Sequence, residues 1–190
     1  ITPLSLLNKV SIELAKIQKD QNVLSIAEFN KIIYNEISKN NVSFGLSRSN
    51  SFYNFDLKSD IPIFYNNFDC IIHAAGKAHC VRSSENLKDE FYEVNVIGTK
   101  NLLFGLTKCK LPKMFVFISS VSVYGKNFGK NINEKTPLAA SDPYGLSKIA
   151  AERLVLSWCR KHNIICTILR LPLIVGPNPP GNLGFMIKGV

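Results

Sequence analysis

Three long apolar runs constrain the fold of this chain more than any other feature. They read DCIIHAA (69–75), KMFVFISS (113–120) and ICTILRLPLIV (165–175). Runs that are apolar at nearly every position suit strands covered on both faces, as in parallel sheets. A shorter run, VSFGLSRS (42–49), has the β-branched and aromatic residues of a strand and ends in turn formers. The sequence therefore predicts a parallel sheet.

Two long helical patterns separate the last three runs. Residues 85–108 place apolar side chains at helical spacing, and residues 144–162 do so in a broader stripe. Strand, helix and strand in repetition is typical of an α/β doubly wound fold, with helices on both faces of the sheet. Ligands of such folds bind beyond the carboxyl ends of the strands, so we expect functional residues there.

Composition narrows the function class. With 190 residues, of which 46% are hydrophobic and 19% charged, the chain matches one globular domain. The net charge of +9 invites a nucleic-acid interpretation, but the lysines are scattered and only residues 159–162 gather basic groups closely. We therefore expect no nucleic-acid partner.

The cysteine and hydropathy patterns indicate a cytoplasmic protein. The five cysteines form no C-x-x-C pair and stand mostly in apolar surroundings, as reduced thiols do. No run approaches eighteen apolar residues, and Arg170 interrupts the longest, so no membrane span is expected. The first residues lack the features of a signal peptide.

Tyr144 and Lys148 form the clearest chemical pair. Four residues apart on a predicted helix, their side chains share one face. To act as a base at neutral pH, a tyrosine needs a pKa about 3 units below its ordinary value. That shift takes roughly 4 kcal/mol of phenolate stabilisation. A nearby ammonium supplies part of it, and Ser120, at a strand end, is placed to pass a substrate proton to Tyr144. Alone, this spacing more often marks a half-buried Tyr beside a solvated Lys.

The order of the motifs is more specific than any one of them. From about Val42 to the end, the chain carries in sequence DCIIHAAGKAH, NVIGTKNLL, FISSVSVYG, DPYGLSK and LRLPLIVGPNPPGNLG. This order resembles the extended short-chain dehydrogenase/reductases, and among them the NAD-dependent epimerase/dehydratase group that acts on nucleotide sugars.

The resemblance implies a Rossmann-like fold, a NAD cofactor and a catalytic triad of Ser120, Tyr144 and Lys148. Lys148 would also hold the nicotinamide ribose, and the charged nicotinamide would help lower the Tyr144 pKa. The further cofactor-binding residues it implies are Asp56 and Leu57 beside the adenine, with Ala74, Ala75, Gly76, Lys77, Asn95, Ser119 and Pro172 along the rest of the dinucleotide. The implied substrate contacts are Ser122, Asn182 and Leu183.

Two positions bear on the reaction and the cofactor. The 4,6-dehydratases of this group place an acidic pair after the catalytic hydroxyl, whereas this chain has Val121 and Ser122. The resemblance thus implies a nucleotide-sugar 4-epimerase, which oxidises C4 transiently and returns the hydride to the other face, or a 4-reductase. Arg48, after the first strand, could accommodate the extra phosphate of NADP, so NADP is not excluded.

The N-terminal segment departs from the family pattern. That pattern opens with a strand, a glycine-rich loop and a helix, whose glycines let the backbone approach a pyrophosphate. Here Leu24, Ala27 and Asn30 stand near the glycine positions, and the first glycine of the chain is Gly45. A foreign or frameshifted segment, an inactive relative and a variant loop all remain open. We expect a helical extension over 1–21 and an NAD(P)-binding domain over 22–190, with the C-terminal substrate lobe largely missing.

Four residues of metal-ligating type lie close together in the sequence: Cys70, His73, His79 and Cys80. The first two, three apart on a strand, point to opposite faces, so no metal site is expected.

A non-catalytic role is the second function class. In it, an inactive or truncated relative serves as a binding or assembly protein. The resemblance also implies a homodimer through the two long helices and a role in polysaccharide precursor synthesis. It leaves the sugar and its nucleotide or lipid diphosphate carrier open.

Overall fold

The computed structural model describes residues 34–39, 41–78, 87–126 and 128–172. Gly45–Pro172 forms one compact unit, and the described residues before it belong to a second unit. In that second unit, residues 34–38 are helical, and the Ser38 hydroxyl donates to the Ser43 hydroxyl at 3.1 Å. The predicted boundary between residues 21 and 22 lies outside the described residues.

Every strand pair in the described chain is parallel. The strands are β1 (Leu46–Ser47), β2 (Tyr53–Asn54), β3 (Cys70–His73), β4 (Met114–Ser120) and β5 (Ile165–Leu171). One sheet pairs β1 with β2, and the other has the order β3-β4-β5. The parallel sheet is thus confirmed, but β1 is shorter than the predicted run and β2 was not anticipated. The run that contains β3 leaves the sheet after His73, and residues 74–78 have no regular secondary structure.

Two long helical stretches connect the strands, close to where they were predicted. The first runs as α1 (Leu87–Tyr92), a π-helical segment (Glu93–Ile97) and α2 (Gly98–Thr107). The second, α3 (Pro143–Lys161), begins at an Asp142 cap whose carboxylate accepts from the Gly145 N–H at 2.9 Å, and Pro143 suits its first turn. Among the described residues, no helix combines the length and apolar character that crossing a membrane requires.

A single apolar cluster joins α2 and α3 to one face of the three-stranded sheet. Phe115 and Phe117 of β4 lie at its centre, 0% and 1% exposed, and burying each stabilises the fold by about 1.5–3 kcal/mol. The strand register puts Ile71 and Cys166 beside Phe115 on this face. The helices contribute Leu102, Leu103, Leu106, Ala151, Val155 and Cys159. This packing brings the first turns of α3 to the carboxyl ends of the strands.

Candidate functional site

The carboxyl ends of β3, β4 and β5 form one edge of the sheet, which we call the carboxyl edge. Ser120 ends β4 there, and Tyr144 and Lys148 stand in the first two turns of α3. The Lys148 ammonium donates to the Ile118 carbonyl of β4 at 2.9 Å, and the Ser120 hydroxyl lies close enough to Tyr144 to lower its pKa. The structure therefore brings together the three residues that the resemblance implied as a triad.

The Tyr144 phenol is half buried, and its ring packs against Phe91 at 5.8 Å between centroids. Burial raises the pKa of this phenol above its ordinary value, the nearby Ser120 hydroxyl opposes the rise, and the Asp142 charge adds to it. The sequence interpretation expected the pKa to be lowered. Without a positive charge beside its oxygen, the Tyr144 phenol stays protonated at neutral pH.

Lys148 is almost completely buried, with 6% of its surface exposed. Besides its bond to the Ile118 carbonyl, its ammonium lies 4.9 Å from the centroid of the Phe117 ring. Burial lowers the Lys148 pKa to about 8, while the charge of Glu152 opposes that change. The ammonium is therefore mostly charged at neutral pH, but its charge depends on its surroundings.

Asn95, in the π-helical segment, holds the turn that follows β3. Its Oδ1 accepts from the Lys77 N–H at 2.7 Å, and its Nδ2 donates to the Lys77 carbonyl at 3.0 Å and to the Ser147 hydroxyl at 2.9 Å. A π-helical turn widens the helix locally and often occurs at functional sites. Asn95 thus ties the segment after β3 to the second turn of α3.

Gly76 lies against this junction. A Cβ added to it would stand 3.0 Å from Asn95 Oδ1 and 3.2 Å from Lys148 Nζ, closer than most side-chain contacts. Ala75 and Gly76 are exposed, so the small residues after β3 leave an open approach to the buried ammonium. The absence of a side chain at Gly76 thus lets another molecule approach the backbone, the Asn95 amide and the Lys148 ammonium closely.

The serines at the end of β4 and just beyond it differ in their hydrogen-bond partners. They are Ser119, Ser120 and Ser122. The Ser119 hydroxyl is buried and donates to Glu152 Oε1 at 2.5 Å, so it faces α3. The Ser120 hydroxyl accepts from the Ser122 N–H at 3.2 Å and donates to the Ser122 hydroxyl at 3.0 Å, which closes the 3-10 turn Val121–Tyr124. Ser120 and Ser122 therefore belong to one local unit, whereas Ser119 binds elsewhere.

The remaining predicted residues make other contacts, are exposed, or lie outside the described residues. Leu57 is 9% exposed and packs against Gly98 of α2, and its carbonyl accepts from Asn101 Nδ2 at 2.9 Å. Asp56 Oδ1 accepts from the Lys58 N–H at 3.1 Å within an exposed turn. Arg48 after β1 and Pro172 after β5 are exposed. Asn182, Leu183, His79 and Cys80 lie outside the described residues, as does the glycine-free segment 22–32.

The sequence interpretation missed an ion pair beside the triad. Glu152 Oε1 accepts from Arg170 Nε at 3.1 Å, and Glu152 Oε2 accepts from Arg170 Nη2 at 2.8 Å. The hydrogen bond to Glu152 raises the pKa of Arg170. Two signals were present: an arginine in the middle of an apolar strand, and a glutamate one helical turn after Lys148.

His73, at the end of β3, is buried and uncharged. Its Nε2 lies 2.8 Å from Thr99 Oγ1, and the Thr99 hydroxyl already donates to the Asn95 carbonyl at 2.7 Å. His73 Nε2 must therefore carry the proton and donate. Burial, with a smaller contribution from the Lys148 charge, lowers the His73 pKa to about 3. His73 is thus a neutral, packed strand residue.

Comparison with known proteins gives consistent results. The NAD dependent epimerase/dehydratase family matches residues 28–188. UDP-glucose 4-epimerase from Dictyostelium discoideum is 35% identical over 119 residues, 62% of this chain and 34% of that protein. dTDP-D-glucose 4,6-dehydratase from Homo sapiens is 33% identical over 110 residues, 58% of this chain and 31% of that protein.

A solved structure also resembles this fold. RMD from Pseudomonas aeruginosa, complexed with NADPH, matches with a TM-score of 0.52 at 28% identity, covering 62% of this chain and 41% of that one. Together with the parallel sheet, this likeness confirms an α/β Rossmann-like fold. The chain spans about a third of the length of these two curated relatives.

Proposed function

The chain belongs to the NAD dependent epimerase/dehydratase family, and from this premise we propose that it is part of an NAD-dependent nucleotide-sugar 4-epimerase. The observation that carries the proposal is the meeting of Ser120, Tyr144 and Lys148 at the carboxyl edge. Residues at this edge come from β4 and α3, and the relatives share the fold that assembles them. A cytoplasmic role in making polysaccharide precursors is the setting we propose.

The described residues fit NAD, the cofactor of this family. Gly76 leaves backbone close to Lys148 Nζ without a side chain between them, and Ala75 beside it is small and exposed. The Lys148 ammonium is a donor suited to ribose hydroxyls. Arg48 is exposed after β1, so a 2′-phosphate is also compatible with the chain, and a binding test must include NADPH.

The chemistry we propose follows from the proton positions. When bound, NAD would supply a hydride acceptor and a positive charge that favours the phenolate form of Tyr144. Once its own phenol proton has passed to solvent, Tyr144 would accept the proton of the sugar C4 hydroxyl, and the nearby Ser120 hydroxyl would hold that hydroxyl in line. Lys148 keeps a positive charge close to the site throughout. The same groups return the proton after the sugar has turned over.

The turn after Ser120 supports epimerisation over dehydration. Eliminating water from C5 and C6 needs an acid and a base at the sugar. The two residues after Ser120 are Val121, which is 40% exposed, and Ser122, whose N–H and hydroxyl both bond to Ser120. Since relatives of both reaction types match the chain, product analysis must decide.

The first test is NADH binding to the 190-residue chain by fluorescence titration, with NADPH in parallel. Tyr144→Phe should bind like the parent chain, because it removes only the phenol oxygen, whereas Lys148→Ala should bind more weakly. Absence of binding at millimolar NADH by a folded chain would overturn the proposal. It would favour an inactive relative instead.

The second test is the interconversion of UDP-glucose and UDP-galactose in the presence of NAD. Chromatography monitors the reaction. The expected product is the C4 epimer, and Tyr144→Phe should abolish it. Release of a 4-keto-6-deoxy sugar from dTDP-glucose would instead indicate a dehydratase.

We also propose that two copies pair through α1 and α3. Tyr92, Leu146 and Leu156 are 51%, 45% and 39% exposed on these helices, and covering such apolar side chains with a partner would stabilise a dimer. Sedimentation velocity should show a dimer, and Leu146→Asp should shift it to monomer. Ile63→Asp, at an exposed apolar residue outside the helices, is the control.

A further inference from the structure

Glu152 is the most buried charged side chain described, at 1% exposure, and the chemistry proposed above does not use it. It stands one helical turn beyond Lys148 on the same face of α3. An isolated buried carboxylate costs several kcal/mol, so its partners must compensate for lost hydration. Those partners are the Ser119 hydroxyl and the Arg170 guanidinium.

These bonds connect three elements at one point. Ser119 of β4 and Arg170 of β5 are direct partners in the strand register. Both donate to the one carboxylate, Arg170 through two nitrogens, and a two-point contact with a planar guanidinium fixes orientation as well as distance. Glu152 therefore sets the position of α3 relative to the carboxyl ends of both strands.

The connection extends to the turn that carries Ser122. Arg170 Nη1 donates to the Tyr124 hydroxyl at 3.1 Å, and that hydroxyl donates to the Asn133 carbonyl at 3.2 Å. Arg170 also lies 5.2 Å from the centroid of the Tyr124 ring. The 3-10 turn after Ser120 is thus tied, through Arg170, to the same carboxylate.

We propose that Glu152 is a positioning residue for the Tyr144 and Lys148 pair: its buried carboxylate, held by Ser119 and Arg170, locks α3 to the carboxyl edge and provides the counter-charge for the Lys148 ammonium. The significance of this role for catalysis rests on the proposed function. The contacts of Glu152 with Ser119 and Arg170 do not depend on the proposed function, because they are a property of the folded chain.

The effect of Glu152 on the Lys148 pKa has the sign that the proposed role requires. Burial lowers the Lys148 pKa, and Glu152 acts against it. The titratable groups nearest the ammonium are His73 of β3, which is neutral, and Tyr144 and Glu152 of α3. Arg170 of β5 lies beyond Glu152. The ion pair of Lys77 with Glu90 lies beyond Gly76. Neutralising Glu152 also leaves the Arg170 charge uncompensated, and both effects favour loss of the Lys148 proton.

The test is an NMR titration of Lys148 in the 190-residue chain labelled with ¹³C-lysine, with Lys148→Arg to assign its Cε signal. In E152Q, which keeps the shape and removes the charge, the titration midpoint should move to lower pH. In E152D, which keeps the charge one methylene further away, it should move less in the same direction. E93Q, which breaks the exposed ion pair of Glu93 with Lys58, is the control and should leave the midpoint unchanged.

A midpoint in E152Q and E152D equal to that of the parent chain would overturn the inference. If E152Q does not fold, E152D alone decides by the same criterion. NADH titration is the second readout: E152Q should bind about tenfold more weakly at pH 7, a change of about 1.4 kcal/mol, with E93Q unchanged. If the parent chain binds no NADH, the proposed function fails while the Lys148 titration still tests the role of Glu152.

Discussion

The two ends of the three-stranded sheet carry similar ion pairs in different environments. At the amino end, Lys113 and Asp69 meet at 2.9 Å with side chains 82% and 86% exposed. At the carboxyl edge, Arg170 and Glu152 meet at 2.8 Å with side chains 18% and 1% exposed. The distances are nearly equal, so the difference lies in access to water.

That difference decides what each pair does. Water screens the exposed pair, whose effect stays local: Lys113 lowers the pKa of Asp69. The buried pair belongs to a set of polar groups that includes Lys148 and His73, whose pKa values burial shifts strongly. Because water does not screen charges in the buried region, the charge of each group strongly affects the protonation of the others. Four comparisons test this contrast.

The largest expected effect is on stability. Glu152→Ala should lower the free energy of unfolding by about 3 kcal/mol, because it leaves Arg170 charged and largely buried without its partner. Asp69→Ala, which breaks the exposed pair, should leave the denaturant midpoint unchanged. Urea unfolding followed by circular dichroism measures both, and a similar shift in the two variants would contradict the contrast.

The next effect is on cofactor affinity. Lys148→Ala should weaken NADH binding roughly 10- to 100-fold, the cost of losing a charged hydrogen bond of about 1.5–3 kcal/mol. Lys113→Ala removes the same side chain from the amino end and should bind NADH like the parent chain. Equal losses would mean that general positive charge, and not the carboxyl edge, attracts the cofactor.

A third effect depends on pH. The His73 pKa is about 3 in the folded chain and about 6.5 when unfolded. Between those values the unfolded chain holds a proton that the folded chain lacks, so stability falls as the pH drops from 6.5 towards 3, by at most about 1.4 kcal/mol per pH unit.

His73→Gln should flatten this acid dependence. His162→Gln, at the C-terminal cap of α3 near the amino end, is the matched loss of an imidazole. Unfolding free energies measured every half pH unit would show the slopes. A His73→Gln slope equal to that of the parent chain would mean that His73 is accessible to protons in the folded state.

The smallest effect concerns close packing. Gly76→Ala should cost about 1 kcal/mol of stability, because the new methyl group would press on Asn95 and Lys148. Gly45→Ala is the control, since its Cβ would approach Ser51 no closer than 3.4 Å, an ordinary contact. Thermal unfolding compares the two, and a destabilised Gly45→Ala beside an unchanged Gly76→Ala would reverse the expectation.

Much of the architecture could be predicted from local patterns. The runs around Phe115 and Ile168 predicted β4 and β5, and Tyr144 and Lys148 share a helix face because of their spacing alone. The boundaries were less certain, since β3 ends at His73 although the apolar run continues through Ala75. Strand ends depend on the partner strand, which a single run does not contain.

The sequence by itself determined the order of the three long strands and the helices between them, the motifs at the carboxyl edge and thereby the family. Tertiary structure alone decided that burial raises the Tyr144 pKa and lowers that of Lys148. It also decided that Glu152 binds Arg170, eighteen residues further along the chain. Periodicity and motifs express short-range geometry, whereas burial and charge coupling depend on which distant segments exclude water from one another.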